Sequence, residues 1–482
     1  MAPAADTSAD WWREAVVYQV YPRSFQDSDG DGLGDLEGIT SRLDYLDWLG
    51  VDALWISPFY PSPDADLGYD VSDYTAVDPR FGTLADFDRL VGAAHERGLR
   101  VLLDLVPSHT SIEHPWFREH PERYVWAEDG PPNNWVAAFG GPAWSRDPQS
   151  GRWYLHSFYP EQPDLDWSRP DVREAFAEVV RFWLGRGVDG FRVDAVERLG
   201  KDRQLRDDPP ASEPFGLPLP EEYARVDHRH SANAPEIGIA LTALREAAGS
   251  ALLVGEVYLP TARVHHYLEY FDLAFAFEFL HAPPDAGRLT AVIDAATRLE
   301  RLAWVLSNHD FPRLASRFGS SLTRGAAMIL LTLPGAAFLY QGDEIGMPNG
   351  PGAQPQIDRA GRDPFRHPMQ WDSSPSGGFT TGRPWLEPRD PERRNVADQR
   401  GDAGSMLSFY RELIEVRREL GSGFGLLDAP EGVVAYKRGD HVIAVNVSGE
   451  TTRLPWHGEV LVATGPVRDR LEPGAGVVLA DG

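Results

Sequence analysis

The sequence predicts an α/β protein: a closed (β/α)8 TIM barrel with a small inserted subdomain after its third strand and an all-β domain at the C-terminus. Three observations predict it. Three short apolar runs in mid-chain each end in a carboxylate, Gly190-Phe-Arg-Val-Asp194, Leu252-Leu-Val-Gly-Glu256 and Trp304-Val-Leu-Ser-Asn-His-Asp310, and a barrel gathers its chemistry where its parallel strands end. Apolar runs of strand length alternate with helical stripes, as βα units around a parallel sheet do. Past Gly421 the pattern changes to short alternating strands.

Eight runs qualify as barrel strands: residues 16–21, 52–57, 100–106, 189–194, 251–256, 271–277, 303–306 and 336–340. Between them, Leu84, Phe87, Leu90, Val91 and Ala94 recur at helical spacing, as do Val172, Phe176, Val179, Val180, Trp183 and Leu184, so each stripe is expected to face the sheet. Three connections exceed simple loops. Residues 108–172, rich in Trp, Pro, His and Asn, read as the inserted subdomain; residues 201–235 and 341–402 are polar, Pro-containing excursions. Long segments of this kind usually build the binding site. A helix is expected near 403–420. The stretch from Val433 to Val447, with Gly439-Asp440 as its hairpin turn, opens the β module. The expected divisions are a barrel from 1–107 and 173–421, the insertion 108–172 and the C-terminal domain 422–482.

At 482 residues the chain exceeds what one core usually holds. Its formal charge of -27 repels phosphate backbones and anionic membranes and favours a neutral or cationic small molecule as partner. The absence of cysteine excludes disulfides, thiolate chemistry and Cys-type zinc sites. Met1 to Asp10 has neither a positive start nor an apolar stretch, so no secretory signal is expected. The apolar run Ala326–Tyr340 is broken by Pro334-Gly335 and is too short to span a bilayer. The default is a cytoplasmic enzyme, monomer or homodimer.

Arg192 precedes Asp194 by two residues, so on a strand both side chains point to the same side. A guanidinium there favours an ionised carboxylate, although a structural ion pair is an equal reading. Glu256 follows an apolar strand and a glycine, a setting that can keep a carboxyl protonated for a leaving group; a solvated or paired Glu is the plain alternative. Asp310 follows Asn308 and His309, which also reads as a turn or a structural pair. Two carboxylates flanking a bond are what glycoside hydrolysis requires, and three beside many aromatics point to a sugar.

The segments Asp104-Leu-Val-Pro-Ser-His109, Gly190-Phe-Arg-Val-Asp194, Gly255-Glu256-Val and Ser307-Asn-His-Asp310 resemble the four ordered signatures of the α-amylase family, glycoside hydrolase family 13. The resemblance implies Asp194 as the nucleophile of a covalent glycosyl-enzyme, Glu256 as acid/base and Asp310 as the carboxylate holding the distorted sugar. It also implies that Arg192, His109 and His309 orient substrate, in a retaining double displacement with the acids roughly 5 Å apart. Gln162-Pro-Asp-Leu-Asp-Trp167 is similar to the fifth signature of the α-glucosidase and oligo-1,6-glucosidase branch. Tyr69-Asp70, with Arg366 before His367-Pro-Met-Gln-Trp-Asp372, matches the pair that clamps terminal glucose there, implying exo action. Asp70 as a cap and Arg366 as a loop pin are the structural alternatives. Phe158 is expected to wall the pocket. Ala195, a small residue after the nucleophile, favours α-1,4 over α-1,6 linkages.

Asp27-Ser-Asp29-Gly-Asp31-Gly-Leu-Gly-Asp35 sets oxygens at alternate positions around glycines, as calcium loops do. The branch uses this loop, so the resemblance implies one structural Ca²⁺ or Mg²⁺ on Asp27, Asp29, Asp31, Asp35 and the Leu33 carbonyl, and no organic cofactor. Ser108 stands where calcium-binding amylases carry an Asn, so no second calcium site is expected. The activity read is release of terminal α-linked glucose from short oligosaccharides or α-glucosides. The alternatives are glucosyl transfer or disaccharide isomerisation through the same intermediate, and, remotely, a non-catalytic sugar-binding or scaffolding role.

Overall fold

A computed structural model describes residues 10–480, so nearly all of the Met1–Asp10 segment weighed above lies outside the described residues. The eight expected strands are present as β1 (Val16–Val20), β2 (Ala53–Ile56), β3 (Arg100–Leu105), β4 (Gly190–Val193), β5 (Leu252–Gly255), β6 (Leu273–Phe275), β7 (Leu302–Val305) and β8 (Ala337–Tyr340). Each pairs in parallel with its sequence neighbours, and β1 pairs with β8 to close the barrel. Barrel strands are covered inside by packed side chains and outside by helices, which is why they read as unbroken apolar runs. Gly190 opens β4 because a Cβ there would stand 2.3 Å from the Leu252 carbonyl oxygen on β5.

The predicted helical stripes face inward. Helix Leu84–Glu96 starts on a reciprocal Thr83/Asp86 capping box and buries Phe87, Leu90, Val91 and Ala94. Helix Pro170–Leu184, with proline at its first turn, buries Val172, Phe176, Val179, Val180 and Trp183. At about 1.5–3 kcal/mol per large apolar side chain, this burial outweighs intrinsic propensity in holding the helices. The run Ala326–Tyr340 divides between the end of helix Leu314–Thr332 and strand β8. Among the described residues no helix is long and apolar enough to cross a membrane.

Between β3 and β4 a three-stranded antiparallel sheet (Trp126–Ala127, Trp153–Leu155, Trp144–Arg146) packs on its own small core of Trp135, Ala137, Ala143, Trp144 and Leu155. This insertion clasps the 201–235 excursion: Asn133 Nδ2, Asn134 Nδ2 and Trp135 Nε1 donate to the carbonyls of Leu205, Asp208 and Arg206. Together they wall one side of the barrel mouth.

After helix Met406–Arg417 come β9 (Phe424–Leu426), β10 (Val433–Arg438), β11 (His441–Asn446), β12 (Glu459–Ala463) and β13 (Gly476–Ala480), an antiparallel sheet in the order β9-β10-β11-β13-β12. Gly439-Asp440 is the two-residue turn between β10 and β11, with Gly439 at φ 56°. One face of this sheet, including Val434, Tyr436, Ile443 and Val445, merges with the barrel core. Arg438 donates to the carbonyls of Thr332 and Leu333 and ion-pairs with Glu14, and Arg417 also donates to the Leu333 carbonyl.

Candidate active site

The three acids converge. Asp194 and Glu256 are the residues immediately after β4 and β5, and Asp310 follows β7 by five. All three line one cavity of about 320 Å³ at the C-terminal ends of the strands, with Asp66, Tyr69, His109, Phe158, Ala195 and Arg362. Ala195 takes a left-handed conformation, φ 43°, which turns the chain sharply off β4. Its amide donates to Glu256 Oε2 at 2.9 Å.

Arg192, 1% exposed beneath the cavity, organises the charges. Its Nη1 lies 2.7 Å from both Asp194 Oδ1 and Asp104 Oδ1, and its Nη2 lies 2.7 Å from Glu256 Oε2. Three carboxylates thus share one largely buried guanidinium, a net excess of negative charge that favours retention of a proton. Burial, reinforced by Asp194 and Asp310, pushes Glu256 up to about 8. Burial also raises Asp194, to about 7, and Arg192 opposes the rise of both carboxyls. Both carboxyls are thus raised, and both contact the Arg192 guanidinium.

Asp310 is the opposite case. Burial would raise its carboxyl, yet the guanidinium groups of Arg362, Arg366 and Arg192 together hold it far below the usual carboxylate range. Arg362 Nη1 and Arg366 Nη2 donate to Asp310 Oδ1 at 2.9 and 3.1 Å. His309 lies 2.6 Å through Nε2 from the Tyr69 hydroxyl and 2.7 Å through Nδ1 from Gln19 Nε2; burial depresses it to about 3, so it is neutral. His109, whose pKa burial also lowers, is fixed by Ser108, Gln162 and the Tyr69 carbonyl and packs on the Phe158 ring.

The structure corrects the expected glucose clamp. Asp70 is fully buried and away from the cavity: Oδ1 accepts from Ser62 Oγ and the Asp66 amide, Oδ2 from the Ala65 amide. It is the cap of a turn, the structural alternative. That turn presents Asp66 to the cavity instead. Arg366 likewise lies behind the site, 0% exposed, pinned to the His309 carbonyl and Asp310. The cavity-lining ion pair is Asp66 with Arg362, whose guanidinium also binds Asp358.

Sequence reasoning therefore missed Asp66, Arg362 and the role of Asp104, and also Phe139, Glu197, Arg198, Tyr258 and Phe311, which line the same cavity. The signal for Asp66 was present in Asp-Ala-Asp-Leu-Gly-Tyr-Asp, where Asp66 and Asp70 flank Tyr69. Spacing did not tell which acid turns inward.

In the loop after β1, carboxylate oxygens of Asp27, Asp29 and Asp35 lie within 4.8 Å of one another. Asp31 stands outside this trio, its Oδ1 accepting from the Leu33 amide at 2.7 Å. Burial raises Asp35, and the neighbouring Asp27 adds to it, the repulsion that a hard cation with oxygen ligands relieves. The donor set fits such an ion. Asp27 also bonds Thr380, and the Asp27 amide donates to Phe379, so the loop is stitched to the 379–385 segment away from the acids.

Residues 19–422 match the sequence model of the α-amylase catalytic domain. The chain belongs to the α-amylase family. Among its relatives in that family is a protein described as a probable alpha-glucosidase of Rhizobium meliloti, 42% identical over 457 residues covering 85% of this chain and 83% of that protein. An oligo-1,6-glucosidase of Halalkalibacterium halodurans is 36% identical across 95% of this chain and 94% of its own. Similar solved structures include the alpha-glucosyl transfer enzyme XgtA, with TM-score 0.90 and 38% identity over 97% and 99% of the two chains. The trehalulose synthase MutB from Pseudomonas mesoacidophila MX-45 superposes with TM-score 0.88 at 33% identity over 98% and 99%. As an α-amylase family member carrying its acids in one cavity, the protein is a glycoside hydrolase.

Proposed function

We propose that this protein is an exo-acting, retaining α-glucosidase that releases terminal α-1,4-linked glucose from short oligosaccharides or α-glucosides. The observation that carries the reading is a cavity with Asp194 and Glu256 joined through Arg192 and with the Asp66–Arg362 ion pair on its wall. Glu256 donates its proton to the glycosidic oxygen as Asp194 attacks the anomeric carbon, giving a covalent glucosyl-enzyme and a free aglycone. Glu256 then takes a proton from water, which displaces Asp194 and restores the α-configuration. Asp310, kept ionised by its cationic neighbours, stabilises the positive charge that develops on the ring. Asp66 and Arg362 hold hydroxyls of the terminal glucose by charge-assisted hydrogen bonds and prevent a chain from extending past it. Ala195 leaves room beside the scissile bond.

Maltotriose is the discriminating substrate: glucose and maltose should appear together from the first minutes, with the released glucose in the α-anomer. Internal cleavage of a reducing-end-blocked maltoheptaose, or β-glucose as first product, would refute the assignment. A second reading, transfer to a sugar or alcohol, draws support from the aromatic side chains of Phe139, Phe158, Tyr258 and Phe311 on the cavity wall, an apolar lining that favours a sugar or alcohol acceptor over water. Trisaccharide formed early from maltose would favour it.

The proposal extends to one structural Ca²⁺ or Mg²⁺ held by Asp27, Asp29 and Asp35. When bound, the ion supplies charge neutralisation to the loop, and the residues themselves fix β1 against the 379–385 segment. Adding 1 mM EDTA is expected to lower Tm by several degrees with recovery on Ca²⁺ or Mg²⁺, following ligand linkage of about 2–4 kcal/mol. An unchanged Tm, with no metal by elemental analysis, would refute the site.

A further inference from the structure

One polar side chain inside the barrel takes no part in the chemistry described so far. Gln19 lies on β1 and shares its inward face with Val17, which belongs to the apolar filling of the barrel alongside Ala53, Trp55, Leu102 and Phe338. It is 1% exposed. Its carboxamide nitrogen lies 2.7 Å from His309 Nδ1 and 3.1 Å from Ser57 Oγ, whereas its oxygen has no hydrogen-bond partner among the described residues. A buried acceptor left bare is costly, so the worth of this side chain lies in its nitrogen.

An amide nitrogen carries two hydrogens and only donates. With one hydrogen on Ser57 Oγ, the other meets His309 Nδ1, which must then offer its lone pair. The imidazole is neutral, so its single proton stands on Nε2. Nε2 lies 2.6 Å from the Tyr69 hydroxyl and 3.3 Å from Asp310 Oδ2. Tyr69 in turn donates to Asp104 Oδ2 at 3.1 Å, and Asp104 Oδ1 accepts from Arg192. The donors therefore run in one direction, from Gln19 through His309 and Tyr69 to Asp104. The opposite tautomer would set two donors against each other at Nδ1 and turn a lone pair towards the Asp310 carboxylate.

We propose that Gln19 is a positioning residue of the reaction: by donating to Nδ1 it fixes His309 as the tautomer with its proton on Nε2, and so keeps a hydrogen-bond donor against the carboxylate of Asp310. The assignment rests on the α-glucosidase reading, in which Asp310 stays ionised and oriented, and adds to it the residue that arranges this from behind the site. The charged groups around the imidazole are Asp310, Arg366, Arg192 and Arg362; Gln19 and Tyr21 approach it from β1 and the residue after it, Trp55 from β2 and Tyr69 from the following loop. Burial and the three cations keep a second proton off the ring, which leaves the choice of nitrogen to Gln19.

The test follows kcat/KM on p-nitrophenyl α-glucoside from pH 5 to pH 9. Gln19→Met, which keeps the length and removes the donor, is expected to lose at least tenfold at every pH. Gln19→Glu behaves differently. At low pH the introduced carboxyl and the imidazole hold two protons between them, one along the contact at Nδ1 and one on Nε2. At high pH a single proton is left, which goes to Nδ1 to meet the carboxylate, and Nε2 is bare. The neighbouring buried carboxyls of Asp104, Asp194 and Glu256 lie at about 6, 7 and 8, inside the range scanned. The ratio of variant to parent should therefore fall at least tenfold as pH rises. A new negative charge acting on Glu256 alone would hold the acid's proton to higher pH and make the ratio climb. Gln19→Met within twofold of the parent, or a Gln19→Glu ratio that stays flat or climbs, in variants with the parent's melting curve, overturns the assignment. Inactivity of the parent on this substrate counts against the α-glucosidase reading instead, which is a separate result. Should Gln19→Glu not fold, Gln19→Met combined with His309→Gln decides: a loss within threefold of the larger single loss is expected, and losses that multiply overturn the proposal.

Discussion

Asp194→Asn is expected to lower kcat on p-nitrophenyl α-glucoside by about 10⁴-fold while leaving the melting curve within a few degrees of the parent. The amide matches the carboxylate in shape but cannot displace a leaving group at the anomeric carbon. Arg192 keeps two of its three acidic partners, Asp104 and Glu256, so no buried charge is stranded. The loss falls on chemistry because removing the Asp194 charge also removes a neighbouring negative charge that raises the Glu256 carboxyl, so the acid/base gives up its proton more readily in the resting enzyme. Initial rates and a thermal melt of the same preparation suffice. Residual activity within 100-fold of the parent, in a folded protein, would mean that another group attacks.

Arg192→Met is the complementary case, in which stability and activity fall together. The substitution is close in length and removes the only guanidinium shared by Asp104, Asp194 and Glu256. Breaking a buried ion pair by removing one partner costs about 3–5 kcal/mol. The cost depends on pH. Asp104, Asp194 and Glu256 already bind protons more tightly folded than unfolded, at about 6, 7 and 8, and loss of Arg192 raises them further. A carboxyl raised in this way binds more protons in the native state, so the penalty is absent below the unfolded value, about 4, and grows as pH rises through the folded values. The Tm deficit of the variant against the parent should therefore be largest near pH 8 and shrink towards pH 5. A deficit independent of pH would show that Arg192 acts by packing alone.

The barrel was legible because its strands are buried on both faces and its helices on one, and each pattern survives in a single sequence. Asp194, Glu256 and Asp310 were legible as the polar ends of such strands, and the strand geometry alone brings them to one rim. Asp70 and Arg366 were misplaced because they sit in loops, where no periodicity reports which side chain turns inward. In both cases a residue four positions earlier, Asp66 or Arg362, takes the cavity. Asp104 was quoted only as the start of a motif; its ion pair with Arg192 depends on β3 lying beside β4, a register of Asp104 with Arg192 that becomes readable only once the sheet is closed. Glu197 gave no signal at all, since a Glu on a short turn is ordinarily solvated.

The union of the terminal sheet with the barrel has its own consequence. Apolar residues of β10 and β11 complete the packing around helix Leu314–Thr332, and Arg438 satisfies carbonyl groups where that helix gives way to β8. A chain severed at residue 421 would leave those groups bare and the grip on Glu14 from β10 gone. The terminal module is thus a buttress of the catalytic scaffold and not a cassette: exchanging it between relatives would require carrying the helix along with it.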